Sequence, residues 1–150
     1  MNEILKKGKE LLSWVLLYYV FSFIFQALFW FESLSFLRIF VLPLTLGYIL
    51  LWFYFGYTRH MGFWKGILIG LIGAVPATFF TFIQALILTS GRDITGTFFD
   101  VVNLSTIPLL WFYTAFQRWK LSLYYMPYLL TPLLVLLCGL GSHLGLRKKT

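Results

Sequence analysis

The stretch GILIGLIGAVPATFFTFIQALILTSG, from Gly66 to Gly91, runs for 26 residues without a charged side chain. Three other stretches of at least 20 residues share this property: Leu11 to Phe31, Ile39 to Thr58 and Leu121 to Leu146. Because about 20 helical residues cross the roughly 30 Å hydrocarbon core of a bilayer, each stretch is long enough to form a transmembrane helix. The four stretches predict an all-α integral membrane protein, with one polytopic membrane domain over residues 1–150.

The overall composition agrees with a membrane location. Charged residues make up 11% of the chain and hydrophobic residues 60%, whereas soluble domains carry about 25% charged residues. The net charge of +7 comes from Lys and Arg residues that flank the apolar stretches, as the positive-inside rule predicts for membrane topology. We therefore expect the lipid bilayer as a partner and no nucleic acid. The single cysteine, Cys138, excludes an intramolecular disulfide.

The distribution of Lys and Arg decides between four spans and five. The region from Ile94 to Gln117 is apolar but contains Asp100, Asn103 and Pro108. Four spans with both termini inside place 8 of the 12 Lys and Arg residues on the inner side, and five spans place 7 there. We predict a four-helix transmembrane bundle in the plasma membrane, with cytoplasmic N- and C-termini and an apolar external or re-entrant segment before the last helix. Five spans remain the alternative.

Small residues recur at every fourth position along two ridges of the third stretch. The first ridge begins before the stretch, and the two ridges comprise Gly62, Gly66, Gly70, Ala74 and Thr78, and then Gly73, Ala77, Thr81 and Ala85. Residues four apart lie on one helix face, so the ridges predict a shallow surface that a second helix can approach closely. That helix could belong to this chain, to a second copy or to another membrane protein.

Two further features of the sequence bear on helix packing. Pro76 lies within the third stretch and predicts a kink, because proline removes one backbone hydrogen bond of the helix. Gly141 and Gly145 form a shorter pair in the last stretch, which we expect to meet the ridges of the third stretch near the inner surface.

Five polar residues are the candidates for a ligand-binding site. Gln26 and Gln84 lie in the outer halves of their stretches, and Arg92, Asp100 and Asn103 follow in the region before the last helix. Together they could line a polar pocket that opens to the outer face. Asp100 is the carboxylate for which a position within the membrane can be argued. The alternatives are that the two glutamines form interhelical hydrogen bonds and that Asp100 is solvated.

The sequence shows no catalytic arrangement. It contains no pair of carboxylates within a helical turn, no serine–histidine–aspartate pattern and no phosphate-binding loop, so it favours no enzyme and predicts no cofactor. His60, His143 and Cys138 are too sparse to predict a metal site. We expect a small non-enzymatic subunit or accessory component that packs into a homo-oligomer or a larger membrane complex. The alternative is a small transporter or ligand-binding membrane module for a lipophilic or cationic small molecule.

Overall fold

The computed structural model describes residues 2–29, 40–89 and 126–149. Within these ranges the chain is helical and contains no strand. Its helices are α1 (Asn2–Phe29), α2 (Val41–Arg59), α3 (Phe63–Gly73), α4 (Val75–Thr89) and α5 (Met126–Lys149).

Helices long enough to cross a membrane occur in the second and last of the predicted stretches. Val41–Arg59 and Tyr128–Lys148 meet the requirements of length and hydropathy, and α3 with α4 would make a third span if the bent pair crosses as one. The predicted helical class and the membrane location are therefore confirmed at this coarser level. The four-span bundle is not confirmed, because α1 is not among the helices that meet these requirements in the described residues. The fifth span and the segment before the last helix depend on residues 90–125, which lie outside the described residues.

The helices of the described part pack around α5. It lies between α2 and α3, while α1 packs mainly against α3. The direction of α5 is parallel to α2, because Gly141 lies opposite Phe53 and Gly145 lies opposite Tyr57. Side chains from α1, α2, α3 and α5 meet in the core, where Leu11, Val15, Tyr48, Trp52, Ile69 and Cys138 are at most 1% exposed.

A tight turn of three residues joins α2 to α3. His60 ends α2 in the left-handed conformation, with φ 53° and ψ 35°, and Gly62 follows with φ 85°. Left-handed residues commonly end helices because they let the chain leave the helix axis at once. The backbone N–H of Met61 donates to Ser142 Oγ at 3.1 Å, so this turn is held directly against α5.

The break between α3 and α4 lies at Ala74. The segments Phe63–Gly73 and Val75–Ile83 meet there at an angle of 52°. Pro76 is the second residue of α4, and because it has no backbone N–H it leaves the carbonyl of Ile72 without its usual helical donor. The hydroxyl of Thr78 donates to carbonyl oxygens at the break.

Candidate functional site: a groove at the helix break

A groove of about 620 Å³ lies between the α3–α4 break and α5, and we call it the break groove. It is lined by Ile67, Leu71, Ala74, Thr78, Thr81, Phe82, Tyr128, Thr131, Pro132, Val135 and Leu136. The lining is almost entirely apolar, and the groove is open along one side.

The bend at Ala74 explains why the groove exists. Before the bend, α3 and α5 are in close contact through glycines. After the bend, α4 makes far fewer contacts with α5. Because the axis turns by 52° at this point, α4 diverges from α5 and leaves a space between them. Small side chains such as Ala74 and Thr78 line that space and do not fill it.

The threonine hydroxyls at the groove use their hydrogen atoms within the helix. Thr78 Oγ1 lies 3.0 Å from the carbonyl oxygens of both Ala74 and Val75. Thr81 Oγ1 donates to the carbonyl oxygen of Ala77 at 2.7 Å. Both hydroxyls can therefore accept a hydrogen bond but have no hydrogen to donate without breaking these contacts. A ligand in the groove therefore meets hydrocarbon and, at these two threonines, acceptor oxygens; the hydroxyl groups of Tyr128 and Thr131 also belong to residues that line the groove.

The glycines of the first predicted ridge lie against α5. A Cβ at Gly66 would lie 2.6 Å from Ser142 Cβ and 2.9 Å from Gly139 Cα. At Gly70 the nearest atom would be Val135 Cα at 3.2 Å. These distances are shorter than ordinary carbon contacts, so α3 and α5 approach more closely here than side chains would permit.

The other predicted packing residues have different neighbours. Gly73 faces Leu11 Cγ of α1, which a Cβ would approach to 2.8 Å. Gly62 lies in the turn before α3, where its φ of 85° favours glycine. Ala74, Ala77 and Pro76 are buried, and Ala74 also forms part of the groove wall. Within the second ridge, Gly73 faces α1 whereas Thr81 lines the groove, so this ridge is divided between two surfaces.

We predicted that Gly141 and Gly145 contact α3, and this prediction is wrong. Both glycines lie against the backbone of α2, where a Cβ at Gly141 would come within 3.0 Å of the nitrogen of Tyr57. The glycine of α5 that faces α3 is Gly139. Sequence reasoning also missed Gly56 of α2, where an added Cβ would clash with backbone of α5. No glycine periodicity surrounds Gly56, so no pattern could have indicated it.

An ion pair joins α1 to the end of α2. Arg59 Nη2 contacts Glu10 Oε1, and the two side chains are 24% and 40% exposed. The guanidinium also lies over the ring of Phe55, with Cζ 4.6 Å from the ring centre, a cation–π geometry. This contact ties the lysine-rich start of α1 to the end of the bundle where α2 ends and α3 begins.

Aromatic rings pack α1 against α2 nearer the start of α2, at a distance from this ion pair. The ring of Tyr48 lies 5.0 Å from that of Tyr18, 6.3 Å from that of Tyr19 and 6.2 Å from that of Trp52. The hydroxyl of Tyr18 donates to the backbone carbonyl of Leu44. Edge-to-face and tilted pairs of this kind favour a single relative orientation of two helices, so we assign the cluster a structural role.

The side chains of the five predicted ligand-binding residues all lie outside what the structure describes. Arg92, Asp100 and Asn103 lie outside the described residues. Gln26 belongs to α1 and Gln84 to α4, but their side chains also lie outside what the structure describes. The outer polar pocket therefore stays a prediction. For metals, no group of three His, Cys, Asp or Glu residues within 2–29, 40–89 and 126–149 could hold an ion.

No protein-family model, curated protein or solved structure matches this chain.

Proposed function

We propose that this chain is a non-enzymatic polytopic membrane protein that binds a lipophilic molecule with a long hydrocarbon chain in the break groove. The groove itself is the observation that carries the proposal. Its volume of about 620 Å³ falls within the roughly 300–1,000 Å³ of typical small-molecule pockets, which are likewise mostly apolar.

The groove suits a hydrocarbon chain for two reasons. Atoms that line an unfilled space lack dispersion contacts on one side, and an apolar chain restores those contacts without leaving a polar group unpaired. The groove is also bounded by Leu136 and Phe82, which are exposed on the outer surface of the bundle. A molecule dissolved in the bilayer can therefore enter from the side.

The role that the sequence favoured, a subunit or accessory component of a homo-oligomer or larger membrane complex, now has less support than the ligand-binding alternative. The glycine ridge that suggested a docking surface is covered by the chain's own helices at Gly66, Gly70 and Gly73. A homo-oligomer or a larger membrane partner would have to use a different face. The proposed location is the plasma membrane with cytoplasmic termini, supported by the Lys and Arg residues at one end of the described helices.

The experiment that tests the proposal uses a matched pair on α5. Leu136 and Leu140 are both 46% exposed and lie one turn apart, but Leu136 lines the groove and Leu140 does not. We expect Leu136→Trp to fill the groove and Leu140→Trp to leave it open. Binding of palmitoyl lysophosphatidylcholine to the purified full chain in mild detergent is measured by native mass spectrometry.

The expected result is a selective loss of binding. Since each buried methylene is worth about 0.8 kcal/mol, excluding two of them lowers affinity about tenfold in Leu136→Trp. Leu140→Trp should bind as the unmodified chain does. A second matched pair on α4, Thr78→Trp in the groove and Val75→Trp outside it, should repeat the difference. Equal binding by both members of both pairs would refute the proposal.

A further inference from the structure

We infer that the ligand of the break groove is an uncharged single-tailed lipid whose head group donates a hydrogen bond, as the hydroxyl group of a long-chain alcohol does. The hydrocarbon tail lies toward Ile67 and Leu136, and the hydroxyl group lies toward Thr78 and Thr81. This inference rests on the proposed function and names the class of ligand.

The two walls of the groove run in opposite directions. A Cβ at Gly66 would lie 2.6 Å from Ser142 Cβ, whereas at Gly70, one turn further along α3, the nearest atom would be Val135 Cα. An advance along α3 therefore corresponds to a step back along α5. Residues early in α3 share one end of the groove with the later lining residues of α5, and residues of α4 share the other end with the start of α5.

The hydroxyl groups of the groove lie at one of these ends. The lining residues that carry a hydroxyl group are Thr78, Thr81, Tyr128 and Thr131. They belong to α4 and to the start of α5, and we call this end of the groove the hydroxyl end. The opposite end is formed by side chains that contain only hydrocarbon: Ile67, Leu71, Val135 and Leu136. The groove is therefore polar at one end only, as a single-tailed lipid is.

The two threonines of α4 can accept hydrogen bonds from a ligand. Thr81 Oγ1 donates its hydrogen to the carbonyl oxygen of Ala77, and Thr78 Oγ1 lies 3.0 Å from two backbone carbonyl oxygens of its own helix. A hydroxyl group of a ligand can donate to either threonine oxygen, whereas an ether oxygen or a carboxylate has no hydrogen to donate. Because a hydroxyl group buried in hydrocarbon without a partner costs free energy, these acceptors favour a head group that donates.

The lining also favours a head group without charge. None of the residues that line the groove is charged, and neither Val75–Thr89 nor the part of α5 before Arg147 contains a charged residue. An ion that leaves water costs far more free energy than a neutral hydroxyl group unless an opposite charge pairs with it. Among the described residues, the groove wall offers no such partner.

The test compares four probes that carry the same 16-carbon tail. They are hexadecanol, hexadecyl methyl ether, hexadecyl sulfate and hexadecyltrimethylammonium, and each is titrated into the full chain in mild detergent and followed by native mass spectrometry. We expect hexadecanol to bind about fivefold more tightly than the ether, which is the gain typical of one hydrogen bond between neutral groups. Both charged probes should bind more weakly than hexadecanol.

A variant without hydroxyl groups at the hydroxyl end shows whether these residues cause the preference. It combines Thr78→Val, Thr81→Val, Thr131→Val and Tyr128→Phe. The preference for hexadecanol over the ether should disappear in this variant, while binding of the ether stays unchanged and reports an intact groove. Thr58→Val is the control, because the Thr58 hydroxyl donates to a carbonyl oxygen of its own helix at 3.0 Å but Thr58 does not line the groove.

The outcomes separate this inference from the proposed function. Equal binding of hexadecanol and the ether by the unmodified chain would overturn the inference, and so would binding of either charged probe as tight as that of hexadecanol. These comparisons decide the matter even if the variant without hydroxyl groups does not fold. If it folds and keeps the preference, the inference is also overturned. The proposed function would still stand if Leu136→Trp weakened hexadecanol and the ether alike, and it would fall together with the inference if Leu136→Trp weakened neither.

Discussion

Replacing Gly141 by alanine should destabilise the fold, although alanine favours a helix more than glycine does. The added methyl group would meet the backbone of α2, with the carbonyl carbon of Phe53 at 3.1 Å and the nitrogen of Tyr57 at 3.0 Å. Backbone atoms of a packed helix cannot rotate away, so α2 and α5 must separate. Gly139→Ala is the matched control, since its methyl group would meet mainly the flexible end of the Ile67 side chain.

The size of the effect follows from the contacts that the separation removes. A gap of about 0.5–1 Å forfeits a quarter to a half of each dispersion contact across an interface, and overpacking of this kind typically costs about 1–3 kcal/mol. The higher helix propensity of alanine stabilises either variant by about 1 kcal/mol, so this gain cancels when Gly141→Ala is compared with Gly139→Ala. We therefore expect Gly141→Ala to be less stable than Gly139→Ala by about 1–3 kcal/mol.

The assay is reversible unfolding of the purified chain, in which sodium dodecyl sulfate is titrated into mild detergent and helix content is followed by circular dichroism. The quantity compared is the free energy of unfolding of the two variants at the same detergent composition. If Gly141→Ala were as stable as Gly139→Ala, or more stable, the close approach of α2 and α5 at this glycine would be refuted.

Two further predictions concern the α2–α3 turn and the helix break. Ser142→Ala removes the acceptor of the Met61 N–H and should lower the free energy of unfolding by about 0.5–1.5 kcal/mol, because a partly buried amide loses its hydrogen bond. Ser13→Ala, at an exposed serine, should have no measurable effect. Pro76→Ala restores a helical donor, so spin labels at positions 65 and 86 should move apart by about 3 Å as the 52° bend straightens. The distance between the two labels is measured by double electron–electron resonance. An unchanged distance would show that packing, and not proline, maintains the bend.

Much of the helical framework could be predicted from uncharged stretches alone. The second and last stretches coincide with helices long enough to cross a membrane, because hydropathy and length are properties of a local segment. The spacing of Gly66 and Gly70 likewise predicted a face suited to close packing, and these glycines do lie against another helix. Pro76 predicted a kink in the third stretch, and a break lies two residues before it.

The candidate site was much harder to predict than the helices. Its walls come from α3, α4 and α5, and its lining is composed of ordinary apolar residues and threonines with no distinctive spacing. The sequence instead directed attention to rare polar residues such as Asp100, which lies outside the described residues. A space between helices depends on the angle at which they diverge, and no residue type encodes that angle.

The sequence by itself determined that the chain is helical, that at least two of its helices can cross a membrane, and that basic residues cluster outside the apolar stretches. Only the tertiary structure decided that Gly141 packs on α2 while Gly66 packs on α5, and that a groove opens beside Ala74. The physical reason is that a helix in lipid is apolar on every side. Hydrophobicity therefore gives its faces no preferred direction, and the partner of each face is selected by the complementary shapes of whole helices.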